Sequence, residues 1–177
     1  INGAPGAAGP VLNHYNQQAV EKFLNRMSDK LFPAIGNLKG FRALFCDSME
    51  LEGANWCHDF LEEFQTRRGY DVEPYLPFIL YKVGHMGHAV EGALATTLSG
   101  EAKEEVDRVR YDFFVTCMDI VRDRFLKPYT EWCNKYGFKS RIQTYGREFH
   151  PLEASLEVDI PECETWFWNA DGCEKDA

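Results

Sequence analysis

The chain has 177 residues, 45% hydrophobic and 14% aromatic, and a formal net charge of −9. So much apolar material excludes intrinsic disorder, which needs a chain unable to offset its own entropy by burial. An acidic balance without a Lys/Arg cluster excludes a nucleic-acid surface, and no stretch reaches the ~20 uninterrupted apolar residues of a membrane helix.

The chain opens on Ile1, with a flexible lead-in over residues 1–9, and closes on the acidic "DGCEKDA". It reads as an excerpt of a longer protein, without a signal peptide of its own. The six cysteines form no CxxC, which disfavours a zinc ribbon or a thioredoxin-type motif. Cys46 and Cys117 lie in apolar runs where a free thiol acts as a small buried hydrophobe, and Cys163 and Cys173 can pair only in an oxidising compartment.

In chain order, "PVLNHY" reads as the end of a strand. From Asn16, a plausible N-cap, the positions Ala19, Val20, Phe23, Leu24, Met27 and Leu31 form the stripe of a helix packed on one side, ending before Pro33. After the "GNLKG" turn, "FRALFCDSMEL" reads as a buried strand of the parallel kind. A second helix is expected from about Asn55, with Trp56, Phe60, Leu61 and Phe64 on one face and Gly69 as its stop.

Residues 70–100 carry prolines and glycines that break the pattern, so they read as an irregular insertion with short helical pieces. A long helix is then expected from Glu101 to about Tyr136, kinked or divided at Pro128. "KSRIQTYG" and "ASLEVDIPECE" read as two further strands. The order β-α-β-α-insertion-α-β-loop-β calls for parallel strands joined by crossovers. No GxGxxG or P-loop sequence supports a doubly wound nucleotide fold. The α/β reading is therefore a partial (β/α)8 TIM barrel, roughly half of one, whose chemistry belongs at the carboxyl ends of its strands.

Polar groups collect at those expected ends: His14, then Asp47 and Glu50, then Gln143, then Asp159, Glu162 and Glu164. Two carboxyl groups converging on one cleft are what glycosidic cleavage needs, one protonating the leaving oxygen and the other serving as nucleophile or as base for a water. Glu50 with Glu162 or Glu164 meets that demand. Asp47 and Asp159 are candidates for substrate contact or, equally, for loop capping, and Asp159 also for a hard cation. His14, His150 and Gln143 are placed to reach sugar hydroxyls, and Tyr145 and Trp166 to stack on a sugar face. His85 and His88, three apart, give only a weak zinc signal without a third ligand. No GxSxG elbow or catalytic cysteine context appears.

The combination "FRALFCDSMELEGANWCHDFLEEFQTRRGYDVEPYLP", "EWCNKYGFKSRIQTYG" and "EVDIPECE" resembles the catalytic barrel of bacterial α-L-rhamnosidases of glycoside hydrolase family 106. The shared features are D-S-x-E at a strand end, R-R-G-Y-D followed by P-Y-L-P, R-x-Q-x-x-G, and an acid-Ile-Pro-Glu segment. The resemblance implies an exported, periplasmic or secreted, multi-domain enzyme that acts on plant-type polysaccharides or glycosides. It further implies inversion at the cleaved carbon and calcium assistance, with Glu50 an active-site acid partnered by Glu162 or Glu164. Where the family pattern has a short Gly/Ser-rich loop after R-x-Q-x-x-G, this chain has "REFHPLEASLE", a departure that bears on sugar specificity. The excerpt alone is expected to be inactive. The competing expectation is a non-catalytic carbohydrate-binding or interaction domain on a degenerate barrel.

Overall fold

The computed structural model describes residues 5–6, 9–49, 55–79, 98–146 and 150–163. Within them, three strands form one parallel sheet in the order β1 (Ala43–Cys46), β2 (Lys139–Gln143), β3 (Ile160–Glu162). It is accompanied by helices α1 (Gln17–Ile35), α2 (Phe60–Arg68), the single turn α3 (Leu76–Ile79), α4 (Gly100–Val121), α5 (Lys127–Lys135) and α6 (Pro151–Ser155). Parallel neighbours cannot be joined by a tight turn. The connection from β1 to β2 accordingly carries α2 to α5, and that from β2 to β3 carries α6.

Helix α1 starts where the sequence indicates, the Asn16 side chain accepting the Ala19 N–H at 3.1 Å. It runs through Pro33 to Ile35, a turn further than expected. Its buried line is Val20, Leu24 and Ser28, whereas Phe23 and Leu31 of the expected stripe are exposed. The segment before it forms no strand. Asn13 instead makes a local turn, its side chain accepting from Tyr15 N–H at 3.0 Å and its carbonyl from Asn16 N–H at 3.2 Å.

Helix α2 begins at Phe60, five residues later than expected, and ends at Gly69, whose φ of 83° is the left-handed conformation a helix stop favours. Phe60 and Phe64 are fully buried, and Phe60 lies 4.8 Å, ring to ring, from Phe113 of α4. Burying one such side chain contributes roughly 1.5–3 kcal/mol.

The long helix is divided as Pro128 requires, though not by a break. Pro128 has no N–H and its ring crowds the carbonyl four residues back. The turn Arg122–Leu126 widens to a π turn, closed by Lys127 N–H on Arg122 C=O, and the helix continues as α5. At this turn Arg124 reaches Asp59 with both terminal nitrogens (2.9 and 2.7 Å), Glu63 (2.7 Å) and the carbonyl of Tyr15 (2.9 Å). One guanidinium thus ties the start of α2 to the loop ahead of α1.

Alternation divides the sheet into two faces. Ser140 and Ile142 are fully buried under α5, where Thr130 donates to Ser140 Oγ and Tyr129 to the carbonyl of Leu44. Phe45, Arg141 and Ile160 stand on the other face, which no described element covers and where Phe45 is 45% exposed. Among the described residues, no helix is long and apolar enough to cross a membrane.

Candidate active site

The carboxyl edge of the sheet brings several of the sequence-predicted groups together. Cys46 pairs with Ile142 and Gln143 with Glu162, so Asp47, Gln143 and Glu162 stand in successive order across β1, β2 and β3. Gln143 is the hub: its Oε1 accepts from the backbone N–H of Ser48 at 3.2 Å and from the Tyr145 hydroxyl at 2.8 Å. With its oxygen doubly engaged, the amide is oriented and its NH2 group remains as the donor of this side chain. Asp47 Oδ1 accepts the same Ser48 N–H at 2.9 Å, a local bond that fixes the bend after β1.

Past the edge the two chains stay in contact. Met49 N–H donates to Tyr145 C=O at 3.2 Å, and Met49 and Gly146 form an isolated parallel bridge. Thr144, buried, shares a 2.7 Å hydrogen bond with Ser155, which docks α6 under the strand end. Glu162 is ion-paired with Arg141 Nε. The Arg141 guanidinium lies over the Phe45 ring, 5.0 Å from its centroid.

Other predicted residues lie elsewhere. Asp159 precedes β3 and stands at the amino end of the sheet, because the first six residues of "ASLEVDIPECE" are helix, turn or bend and only Ile160–Glu162 is strand. Its oxygens take Lys139 Nζ at 2.8 Å, Ser140 N–H at 2.9 Å and Ser140 Oγ at 3.1 Å. Burial opposes its charge, but those donors prevail and hold the carboxyl below the usual carboxylate range. Asp159 is a lock between β2 and β3, across the sheet from the candidate site.

His14 is 8% exposed, packed edge-on against Phe125 with ring centroids 4.6 Å apart, and its Nδ1 has no hydrogen-bond partner among the described residues. Burial lowers its pKa to about 4 against a hydrogen bond to Leu12, so it is neutral near pH 7. His150 is exposed at the start of α6 and joins none of the edge residues by hydrogen bond. Glu50, Glu164 and Trp166 lie outside the described residues, as do His85, His88 and Cys173.

Burial pushes the Cys46 thiol up to about 11, with Asp47 adding to it, and those of Cys57 and Cys133 to about 12. They stay protonated, as small buried hydrophobes would. The described residues contain no group of three His, Cys, Asp or Glu side chains able to hold a metal ion.

Arg141 and Phe45 are the site residues that sequence reasoning passed over. The signal was present in "KSRIQ", where period-two alternation puts Arg141 on the same face as Gln143.

A parallel strand edge carrying Asp, Gln and Glu in order, above helices that cover only the opposite face, is the kind of strand-end site on which α/β enzymes build acid–base chemistry. The sequence places it more narrowly. Residues 3–176 match the family described as alpha-L-rhamnosidase, and the chain belongs to this glycoside hydrolase family 106. A rhamnosidase from Novosphingobium sp. PP1Y has a solved structure similar to this chain, with a TM-score of 0.70 and 25% identity. The similarity covers 97% of this chain and 16% of that one. A Formosa agariphila protein named "Putative beta-glucuronidase" is 29% identical over 152 residues, 86% of this chain and 11% of its own length.

Proposed function

We propose that the whole protein is a glycoside hydrolase that removes a terminal sugar, with α-L-rhamnose favoured, from a plant-type polysaccharide or glycoside. The observation that carries the reading is the Gln143 hub, which binds the backbone of the D-S-x-E segment to the strand beside Glu162. Glu50 is the general acid that protonates the leaving oxygen. Glu162 or Glu164 is the base that takes a proton from the attacking water on the opposite face of the sugar. Asp47, Gln143 and Tyr145 contact or support the sugar.

Strand β1, which leads toward Glu50 in the sequence, and β3, which carries Glu162, are two strand spacings apart, about 9.6 Å between backbones. Inversion needs the two carboxyl groups about 6.5–9.5 Å apart to leave room for a water, and retention about 5–5.5 Å; the family resemblance favours inversion. The three parallel strands, covered on one face and open on the other, support a (β/α)8 barrel of which this chain is part. The chain's small share of its relatives' length supports further domains in the same polypeptide. An enzyme acting on polysaccharides outside the cell would be exported to the periplasm or secreted.

The test is hydrolysis of p-nitrophenyl α-L-rhamnoside and p-nitrophenyl β-D-glucuronide by the full-length protein and by Glu50→Gln. Release of nitrophenol from either, reduced at least about 100-fold in Glu50→Gln with an unchanged melting temperature, supports acid–base hydrolysis. Binding of sugar without release would instead establish a carbohydrate-binding domain.

A further inference from the structure

Arg141 is not one of the residues whose chemistry the proposed reaction requires, yet it contacts all three strands' worth of the open face. Phe45, Arg141 and Ile160 are register partners across β1, β2 and β3. The next rank on the same face toward the carboxyl edge is Gln143 with Glu162. On the β3 side Arg141 does not pair with Ile160, the residue directly beside it. It reaches one step up the sheet to Glu162 and gives that carboxylate its Nε–H, while the Phe45 ring beneath the guanidinium holds it from the other side.

Two consequences follow from the chemistry of the group. A bond from Nε fixes the plane of the guanidinium, and a ring against that plane removes its remaining rotational freedom. The carboxylate in turn is held in one orientation, because a charge-assisted bond to a planar donor is directional. Arg141 is 46% exposed as a side chain and Glu162 27%, so this pair is not a buried element of the core. The open face also carries no other described cation in ion-pair contact with Glu162. A stability role alone gives no reason for the diagonal reach.

We propose that Arg141, braced by Phe45, is a positioning residue that holds Glu162 in the orientation from which it acts on the attacking water. This rests on the reading of Glu162 as the base. It assigns to Arg141 an effect that passes through Glu162 and through nothing else.

The experiment measures kcat and KM of the full-length protein on whichever of the two nitrophenyl glycosides it cleaves, for Arg141→Gln, Arg141→Lys, Glu162→Gln and the Arg141→Gln/Glu162→Gln double variant. Glu162→Gln is expected to lower kcat about 1,000-fold, and Arg141→Gln about 10- to 100-fold with KM within about threefold, as for a misplaced catalytic group. Arg141→Lys should resemble Arg141→Gln more than wild type, because charge without the planar Nε–H does not restore the orientation. The double variant should match Glu162→Gln, since a residue acting only through Glu162 has nothing left to act on.

A wild-type kcat in Arg141→Gln, together with an inactive Glu162→Gln, overturns the positioning role and leaves the base assignment standing. The same holds if Arg141→Gln lowers kcat by an equal factor in both backgrounds, which marks a general structural role. Near-wild-type kcat in Glu162→Gln overturns the base assignment and the positioning role with it. Should Arg141→Gln fail to fold, Phe45→Leu reads the brace alone: a fall in kcat of about threefold or more at constant KM supports the inference, and wild-type kcat overturns it.

Discussion

A Cβ on Gly146 would stand 2.4 Å from the carbonyl oxygen of Met49. The two chain segments leaving β1 and β2 pass each other at backbone contact, and Gly146 holds a φ of 131° to do so. The glycine of the R-x-Q-x-x-G segment is thus explained by the D-S-x-E segment beside it. Gly146→Ala should destabilise the protein by more than the roughly 1–3 kcal/mol of backbone strain, because the Met49 peptide must also move. Activity should fall with it, since Asp47, Ser48 and Glu50 share that stretch of chain. Thermal unfolding monitored by circular dichroism, alongside hydrolysis assays, reads both effects.

Gln143 separates orientation from contact. Gln143→Leu removes the cross-strand acceptor of Ser48 N–H, which keeps Asp47 Oδ1, and takes one acceptor from the Tyr145 hydroxyl, at a cost of about 0.5–1.5 kcal/mol per hydrogen bond. Gln143→Glu keeps an acceptor for both donors, removes the NH2 donor and adds a negative charge beside Asp47 and Glu162. We expect the Leu variant to lose stability and kcat together, and the Glu variant to keep its melting temperature while KM rises. Urea denaturation and steady-state kinetics on the pair distinguish these outcomes.

Arg124 closes a charge cluster that ties the start of α2 to the loop ahead of α1. It holds the Asp59 carboxyl far below the usual carboxylate range, chiefly through its hydrogen bonds, and is itself 16% exposed. Arg124→Met leaves Asp59 without that counter-charge, beside a Glu63 held by Arg67 alone. The pair is partly solvated, so the expected loss is about 2–3 kcal/mol, less than the roughly 3–5 kcal/mol of a fully buried pair. Arg124→Lys should be intermediate, keeping charge but not the fork that reaches Asp59, Glu63 and Tyr15 C=O together. Chemical denaturation at pH 7 measures the series.

His14 imposes a pH dependence of definite sign. Its pKa falls from 6.5 to about 4 on folding. Between those values the unfolded chain binds a proton there that the folded chain refuses. Stability from this group is complete above pH 6.5, declines as pH falls toward 4, and levels off below. His14→Phe, an aromatic of similar shape against Phe125, should flatten that part of the curve. Unfolding free energy measured from pH 7.5 to 4 in both proteins gives the difference.

Much of the architecture was legible in the chain itself. The alternation of strand and helix, the stop at Gly69, the disturbance at Pro128 and the polar ends of "ALFC" and "SRIQ" follow from local periodicity, glycine geometry and the missing proline N–H. These act over a few residues and survive whatever packs around them. The failures share a cause of the opposite kind. "PVLNHY" carries a strand's composition, but Asn13 offers its backbone a turn. Asp159 appeared to end a strand because the apolar run before it, "ASLEV", holds the residues of a short helix and turn as readily as those of an extended chain.

By itself, then, the sequence determined the strands at "ALFC" and "SRIQ", the helices that begin after Asn16 and stop at Gly69, and which family's motifs the chain carries. Only the tertiary structure decided that Gln143 holds the backbone of Ser48, 95 residues earlier, that Arg141 is ion-paired with Glu162 one step up the sheet, and that Asp159 stands at the amino end of the sheet, away from the candidate site. Those facts depend on strand register, and a register is a property of two segments aligned in space, which no periodicity within either one contains.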